Sequence, residues 1–288
     1  MKDVDRLIQD SIDMHIHAGP DSMPSSVDSI EAASQAEKAL MRAIVLKSHF
    51  YATAPIALIT KQFVSKLNIF GSLCLNYEMG GLNPYAVEMA CMLGSKVLWM
   101  PTLSSNNSRS KMSKLFNLKL KGEGFSIINS DDRLVPQMFE ILELVKKHDM
   151  ILASGHISPQ ETFILSKEAK KLGIRNLLVT HANSSELVDQ ALSLEQQKLL
   201  SDEGVFIEYA GISLLNRSLG YDLTETVKAI RYLGAENIIL STDMGPASNP
   251  FPVEGFKIVV SKLLGEGISE DEIELMIKKN PANLLGIV

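Results

Sequence analysis

Cysteine is nearly absent from this chain: 288 residues hold only Cys74 and Cys91. Neither stands in a Cys-x-x-Cys spacing, so both read as buried free thiols of a reducing cytoplasm. Long apolar runs are missing too. None approaches the roughly 18 residues of a membrane span, which excludes a membrane partner of that kind. The N-terminal stretch Met1 to Asp10 is charged and has no apolar centre, so no secretory signal is expected. Charge blocks are lacking as well. The formal net charge is −6 with both signs dispersed, and a nucleic-acid partner normally demands a basic stripe. The one locally basic stretch, Arg109, Lys111, Lys114, Lys119 and Lys121, reads as a solvated loop, with a grip on an anionic substrate as the sharper alternative.

What the chain does contain is a 45% hydrophobic fraction, enough for a sizeable core, and six histidines in telling places. His15 and His17 end the run Ser11-Ile12-Asp13-Met14-His15-Ile16-His17. Residues i and i+2 of a strand point to one face, so the two imidazoles converge as ligands of one metal must. Val45 to His49, Ile151 to His156 and Leu177 to His181 are further apolar runs ending in histidine. Ile238 to Asp243 ends in a carboxylate. Five of six histidines close a strand-like run, which scattered structural histidines would not do. The sixth, His148, ends a helix-like stretch, where its charge complements the helix dipole.

Short β-like runs alternate with helical patterns through eight cycles. The strands expected are 11–18, 43–49, 69–76, 96–103, 150–156, 176–182, 205–210 and 237–243. Their nearly unbroken Val, Ile, Leu and Met content suits parallel strands buried on both faces. Helix starts are marked at Asp28-Ser-Ile-Glu31, Asn83-Pro84, Ser158-Pro159-Gln160-Glu161 and Asp222-Leu-Thr-Glu225. Eight β/α units in one chain, 1–288, predict a (β/α)₈ TIM barrel. Closure is favoured over an open sheet because ligand-type residues end strands one, two, five, six and eight, and a ring brings those ends to one mouth. An insertion of about 104–135 follows strand four. Its part from Gly124 to Val135 reads as a small β-hairpin, placed to cover the site.

With the strands in place, the pattern resembles the amidohydrolase superfamily of metal-dependent barrel hydrolases, in an uncharacterised branch of predicted hydrolases. The resemblance rests on His-x-His (His15, His17) on strand one, His156 and His181 on strands five and six, Asp243 on strand eight, and a closing Asn280-Pro-Ala-Asn-Leu-Leu-Gly286. It implies a divalent metal, zinc first, as one or two ions, and Asp243 as the group that takes the proton from the attacking water. Two features depart from the family pattern. Strand four, Lys96 to Thr102, lacks the usual bridging lysine or glutamate. Strand two ends in Lys47-Ser48-His49, with Lys47 and His49 on one face.

His49 is therefore read as a metal or substrate contact. Lys47 reads as a carboxylated bridge, as a cation for a substrate carboxylate or phosphate, or as a structural ion-pair partner of Asp13 or Glu208. Glu208 and Glu78 are further candidates, and Asp21 either caps the site or makes a turn. The function expected is hydrolysis of a small amide, cyclic amide, lactone or ester. A metal-dependent lyase or decarboxylase of a small organic acid and a non-catalytic metal-binding barrel are the alternatives. The partner expected is a small-molecule substrate, with self-association into a homo-oligomer left open.

Overall fold

A computed structural model describes residues 2–120, 122–215 and 223–287. Lys121 and the helix start at Asp222 lie outside the described residues. Eight parallel strands run in sequence order: β1 Ile12–Ile16, β2 Ala43–Leu46, β3 Asn68–Cys74, β4 Ser95–Trp99, β5 Ile151–Ala153, β6 Leu177–Val179, β7 Phe206–Ala210 and β8 Ile238–Ser241. Each pairs with the next, and β8 returns to β1. The return is made by the Asp243 N–H donating to His15 O at 2.9 Å and the His17 N–H donating to Met244 O at 2.8 Å. The expected (β/α)₈ barrel is the fold.

Helices alternate with the strands and begin where the caps predict. Asp28 accepts from the Glu31 N–H, Asn83 from the Tyr85 N–H, and Ser158 with Glu161 forms a reciprocal capping box. His148 caps the C-terminus of the helix Pro136–Lys147. The interior strand residues Ala43, Val45, Val97, Ile151, Ala153, Leu178 and Ile239 form one buried cluster closed below by Leu284 and Leu285 of the last helix.

Three details differ from expectation. The strands are shorter: the ladders stop two to three residues before His49, His156, His181 and Asp243. There the backbone leaves the pleat, and His181 (φ 26°) and Asp243 (φ 54°) take the left-handed conformation that non-glycine residues rarely adopt. In β1 the register to β2 slips between Asp13 and Ile16, so the strand carries an irregularity just below the two histidines. The basic stretch of the insertion after β4 is solvated only in part: Lys114 and Lys119 are exposed as expected. The insertion forms a helix, Arg109–Leu115, whose Met112 packs with Leu103, Leu187 and Ile212. Arg109 is buried and donates to the carbonyls of Gly122 and Leu103. The hairpin is reduced to a single Ile128–Leu134 bridge around a polar turn. Glu161 pins that segment by accepting from the Ser126 hydroxyl and the Ile127 N–H.

Candidate metal centre

The ends of β1 and β8 bring three donors to one point. His15 Nε2 lies 3.3 Å from His17 Nε2, and Asp243 Oδ1 lies 3.0 Å from the first and 3.2 Å from the second. Donors about 2.0–2.1 Å from a tetrahedral ion stand about 3.3 Å from one another, so the triangle fits a divalent metal. Across the barrel, His156 Nε2 and His181 Nε2 face each other at 2.9 Å. The His15 and His181 rings lie 5.9 Å apart, between centroids. His156 Nδ1 is buried, with no hydrogen-bond partner among the described residues.

The supporting groups explain why these imidazoles aim inward. Glu208, fully buried on β7, accepts from His15 Nδ1 at 3.0 Å and from the His181 N–H at 2.9 Å. With its Nδ1 proton engaged, His15 keeps the Nε2 lone pair for the cavity. Asp13 ties β1 to β8 by accepting from the Thr242 N–H at 3.0 Å and the Thr242 hydroxyl at 2.6 Å. Gly155 lets the chain turn before His156: it has φ 56°, and a Cβ there would meet Met100 O at 2.2 Å.

The electrostatics separate the members. Burial holds His17 below the usual histidine value against the pull of Asp243, and burial sets His181 at about 4. Burial and the neighbouring His181 hold His156 well below the usual range. His15 runs the other way: burial is outweighed by Asp243 and Glu208, and its pKa rises. Asp243 is held well below the carboxylate range, because His15 and His17 overcome the cost of burial. Burial pushes Asp13 up to about 7.

Lys47 is 1% exposed and lies beside the triangle, with Nζ 2.8 Å from His15 Nε2 and 4.6 Å from the centre of the Trp99 ring. It makes no ion pair with Asp13 or Glu208, so the structural pairing is not what holds it. Trp99, the last residue of β4, fills the place where the resemblance leads one to look for a bridging group; its ring is 4.9 Å from that of His15. His49 does not join the triangle. Its Nδ1 contacts the Thr102 hydroxyl at 2.8 Å, and its ring is 4.8 Å from that of His17. Glu78 is exposed and outside the cavity. Asp21 lines the cavity and makes its turn as well, accepting from the Met23 N–H and the Ser48 hydroxyl.

His17, Lys47, His49, His156, His181 and Asp243 form the floor of a cavity of about 420 Å³. One wall is apolar, with Met112, Leu115 and Phe116 from the insertion facing Leu187 and Ile212; the rim carries Asp21, Ser25, Ser248 and Asn249. The insertion meets the site through Met112, Leu115 and Phe116 of an unexpected helix and its end, not through the expected Gly124 to Val135 hairpin, none of whose residues lines the cavity. The spacing Met112, Leu115, Phe116, at i, i+3 and i+4, was the available signal. Thr102 and Asn76, which hold His49, left no signal.

A profile described as a family of unknown function, DUF6282, matches residues 10–208. The chain belongs to this family. The matched span includes every strand-end histidine, Lys47 and Glu208, and ends before Asp243. No curated protein matches the sequence. Solved structures do match its fold. A probable dipeptidase from Pseudomonas aeruginosa aligns over 99% of this chain and 97% of its own, with a TM-score of 0.67 and 11% identity. A putative 2-pyrone-4,6-dicarboxylic acid hydrolase from Pseudomonas putida aligns over 96% and 97%, with a TM-score of 0.60 and 15% identity. A 2,6-dihydroxybenzoate decarboxylase from Rhizobium aligns over 97% and 99%, with a TM-score of 0.54 and 14% identity. The likeness is one of fold: these proteins share the barrel architecture of this chain.

Proposed function

We propose that this protein is a metal-dependent hydrolase that directs water at a small amide, cyclic amide, lactone or ester. The observation that carries this reading is the His15, His17 and Asp243 triangle, whose His17 and Asp243 line a cavity open to solvent. Those three residues, with His156 and His181 opposite, would hold one or two divalent ions. Neutral imidazole and carboxylate donors suit zinc. An ion so held supplies the acidity that brings the pKa of water from about 15.7 toward about 7.

Asp243, held as a carboxylate, is the proton carrier: it takes a proton from the attacking water and returns it to the leaving group. Lys47 offers an ammonium to an anionic group of the substrate. The Met112, Leu115 and Phe116 wall takes the apolar part, in a volume within the range of small-molecule sites. Among the described residues no helix is long and apolar enough to cross a membrane. The two buried thiols support action in the cytoplasm on a small-molecule partner.

The test is metal analysis of the purified protein together with anomalous scattering at the site. At least one zinc per chain is expected, with turnover lost on chelation and metal content lowered in His17→Ala. Full turnover in a rigorously metal-free preparation rejects the reading.

One observation favours a second reading. Among the described residues Lys47 has no carboxylate partner, and a buried ammonium held only by an imidazole and an aromatic face suits the carboxylate of a small organic acid, the substrate of a lyase or decarboxylase. Release of carbon dioxide rather than of an acid and an amine or alcohol separates the two.

A further inference from the structure

His49 stands apart from the other cavity histidines. Its side chain lines the cavity, and among the described residues no hydrogen bond reaches its Nε2. The groups behind it determine which nitrogen carries the proton. Asn76 Oδ1 accepts from the Thr102 N–H at 2.9 Å and the Ser104 N–H at 3.1 Å. Those two bonds orient the amide, so Nδ2 is the donating end. It donates to Thr102 Oγ1 at 2.8 Å and to the His49 carbonyl at 3.0 Å.

The Thr102 hydroxyl, already accepting, has one proton to give. Two acceptors lie in reach: His49 Nδ1 at 2.8 Å and Cys74 Sγ at 3.2 Å. Sulfur accepts weakly and an imidazole nitrogen accepts well. The proton therefore goes to Nδ1, and a neutral imidazole that accepts at Nδ1 carries its own proton on Nε2. An imidazolium would carry one there too. In either state Nε2 presents an N–H to the cavity and has no lone pair for a metal.

We propose that His49 is not a metal ligand but the N–H donor to the carbonyl oxygen of the substrate, with Thr102 and Asn76 as the positioning residues that fix its proton. This rests on the hydrolase reading and narrows it to carbonyl substrates. As water adds to the carbonyl carbon, the π pair of the C=O bond moves onto oxygen, and a fixed donor stabilises that charge without having to reorganise. The ring lies beside His17, one of the three converging donors, so the N–H and the triangle open onto the same space.

The experiment is long-range ¹⁵N–¹H NMR on zinc-loaded protein labelled at histidine, with His49 assigned by the loss of its signals in His49→Gln. The expected pattern is a protonated Nε2 and a bare Nδ1. Thr102→Val should scramble that pattern and Thr102→Ser should keep it. Zinc per chain should be unchanged in His49→Gln. Titration with 2-pyrrolidinone, a cyclic amide, should move the His49 N–H resonance. With 4-nitrophenyl acetate as the probe, Thr102→Val should lower kcat about tenfold with KM little changed, and Thr102→Ser should restore most of the rate. Losing a whole donor of this kind typically costs about 10²–10³. An unprotonated Nε2, a loss of zinc in His49→Gln, or an N–H resonance unmoved by the amide overturns the proposal. Absence of turnover in every form counts against the hydrolase reading, and the proton, zinc and titration results still decide the role of His49.

Discussion

Glu208→Gln is the most direct probe of how the site is built. The carboxylate is fully buried and uses one oxygen for His15 Nδ1 and the other for the His181 N–H. Glutamine keeps the shape and loses one acceptor, so one of its two contacts must become donor against donor. If the amide nitrogen faces His15, the ring can relieve the clash only by accepting at Nδ1. That puts its proton on Nε2 and removes a metal donor. If the amide nitrogen faces the His181 N–H, a buried backbone donor is left unpaired, at a cost of about 1–3 kcal/mol in stability. Outer partners of metal-ligating histidines typically contribute about 10–100-fold in affinity, or about 1.4–2.8 kcal/mol. Zinc affinity is read by competition with a chromophoric chelator, and Tm by thermal denaturation of the metal-free protein. We expect at least a tenfold weaker Kd, a lower Tm, or both. Wild-type values for both would mean that Glu208 does not orient His15.

Asp243→Asn should lower kcat by about 10²–10⁴-fold while retaining most of the zinc; near-normal kcat with chemistry rate-limiting would remove Asp243 from the proton path. For the metal-free protein, His17, His49, His156 and His181 are depressed and so bind fewer protons folded than unfolded below pH 6.5, whereas His15 and Asp13 are raised and run the other way. The four, joined at the acid end by the depressed carboxylates Asp243 and Glu208, outweigh the two, so stability should fall as pH drops from 6.5 toward 4, and urea denaturation that is flat across that window would contradict the assignment. Met112→Ala with Phe116→Ala should raise KM about tenfold for esters with long acyl chains, at about 0.8 kcal/mol per buried methylene lost, and leave acetyl esters nearly unchanged; an equal loss for both would show that the wall does not hold the apolar group.

The barrel and the converging donors were legible because both rest on position along a strand. Continuous apolar runs mark buried parallel strands, and a polar residue at the end of each run lands at the mouth. The exact strand ends were not legible. Leu152, Ala153 and Ser154 continue a plausible strand, yet the ladder stops at Ala153 and the chain turns through Gly155 to deliver His156. The insertion helix was hidden by its composition, since Arg109-Ser-Lys-Met-Ser-Lys-Leu reads as solvated until the wall it faces is known. Glu208 could be suspected from a charge inside an apolar strand. Asn76 and Thr102 could not, because Asn76 acts through Thr102, 26 positions away, and Thr102 acts on His49, 53 positions away.

Lys47 gives the site its sharpest internal constraint. Its Nζ is 2.8 Å from His15 Nε2, and that nitrogen has a single lone pair once Glu208 engages the other side of the ring. The lone pair can accept from the ammonium or bind an ion, and it cannot do both. The ammonium is at home without the imidazole because it lies over the Trp99 face, a contact of about 0.5–2 kcal/mol when desolvated. Trp99 thus fills the strand-four position with apolar volume and supports a positive charge arriving from strand two. If Lys47 stays an ammonium, it competes with the metal for His15, and Lys47→Met should tighten zinc binding, by tenfold or more if the lost hydrogen bond to a charged group is worth about 1.5–3 kcal/mol. The competition disappears if Lys47 is carboxylated, because the added carboxylate attracts the ion. Zinc affinity of Lys47→Met measured with and without bicarbonate decides between them. Tighter binding that ignores bicarbonate establishes the cation. Weaker binding than wild type, with a bicarbonate dependence in the wild type that the variant lacks, refutes it and makes Lys47 the bridge that strand four does not supply.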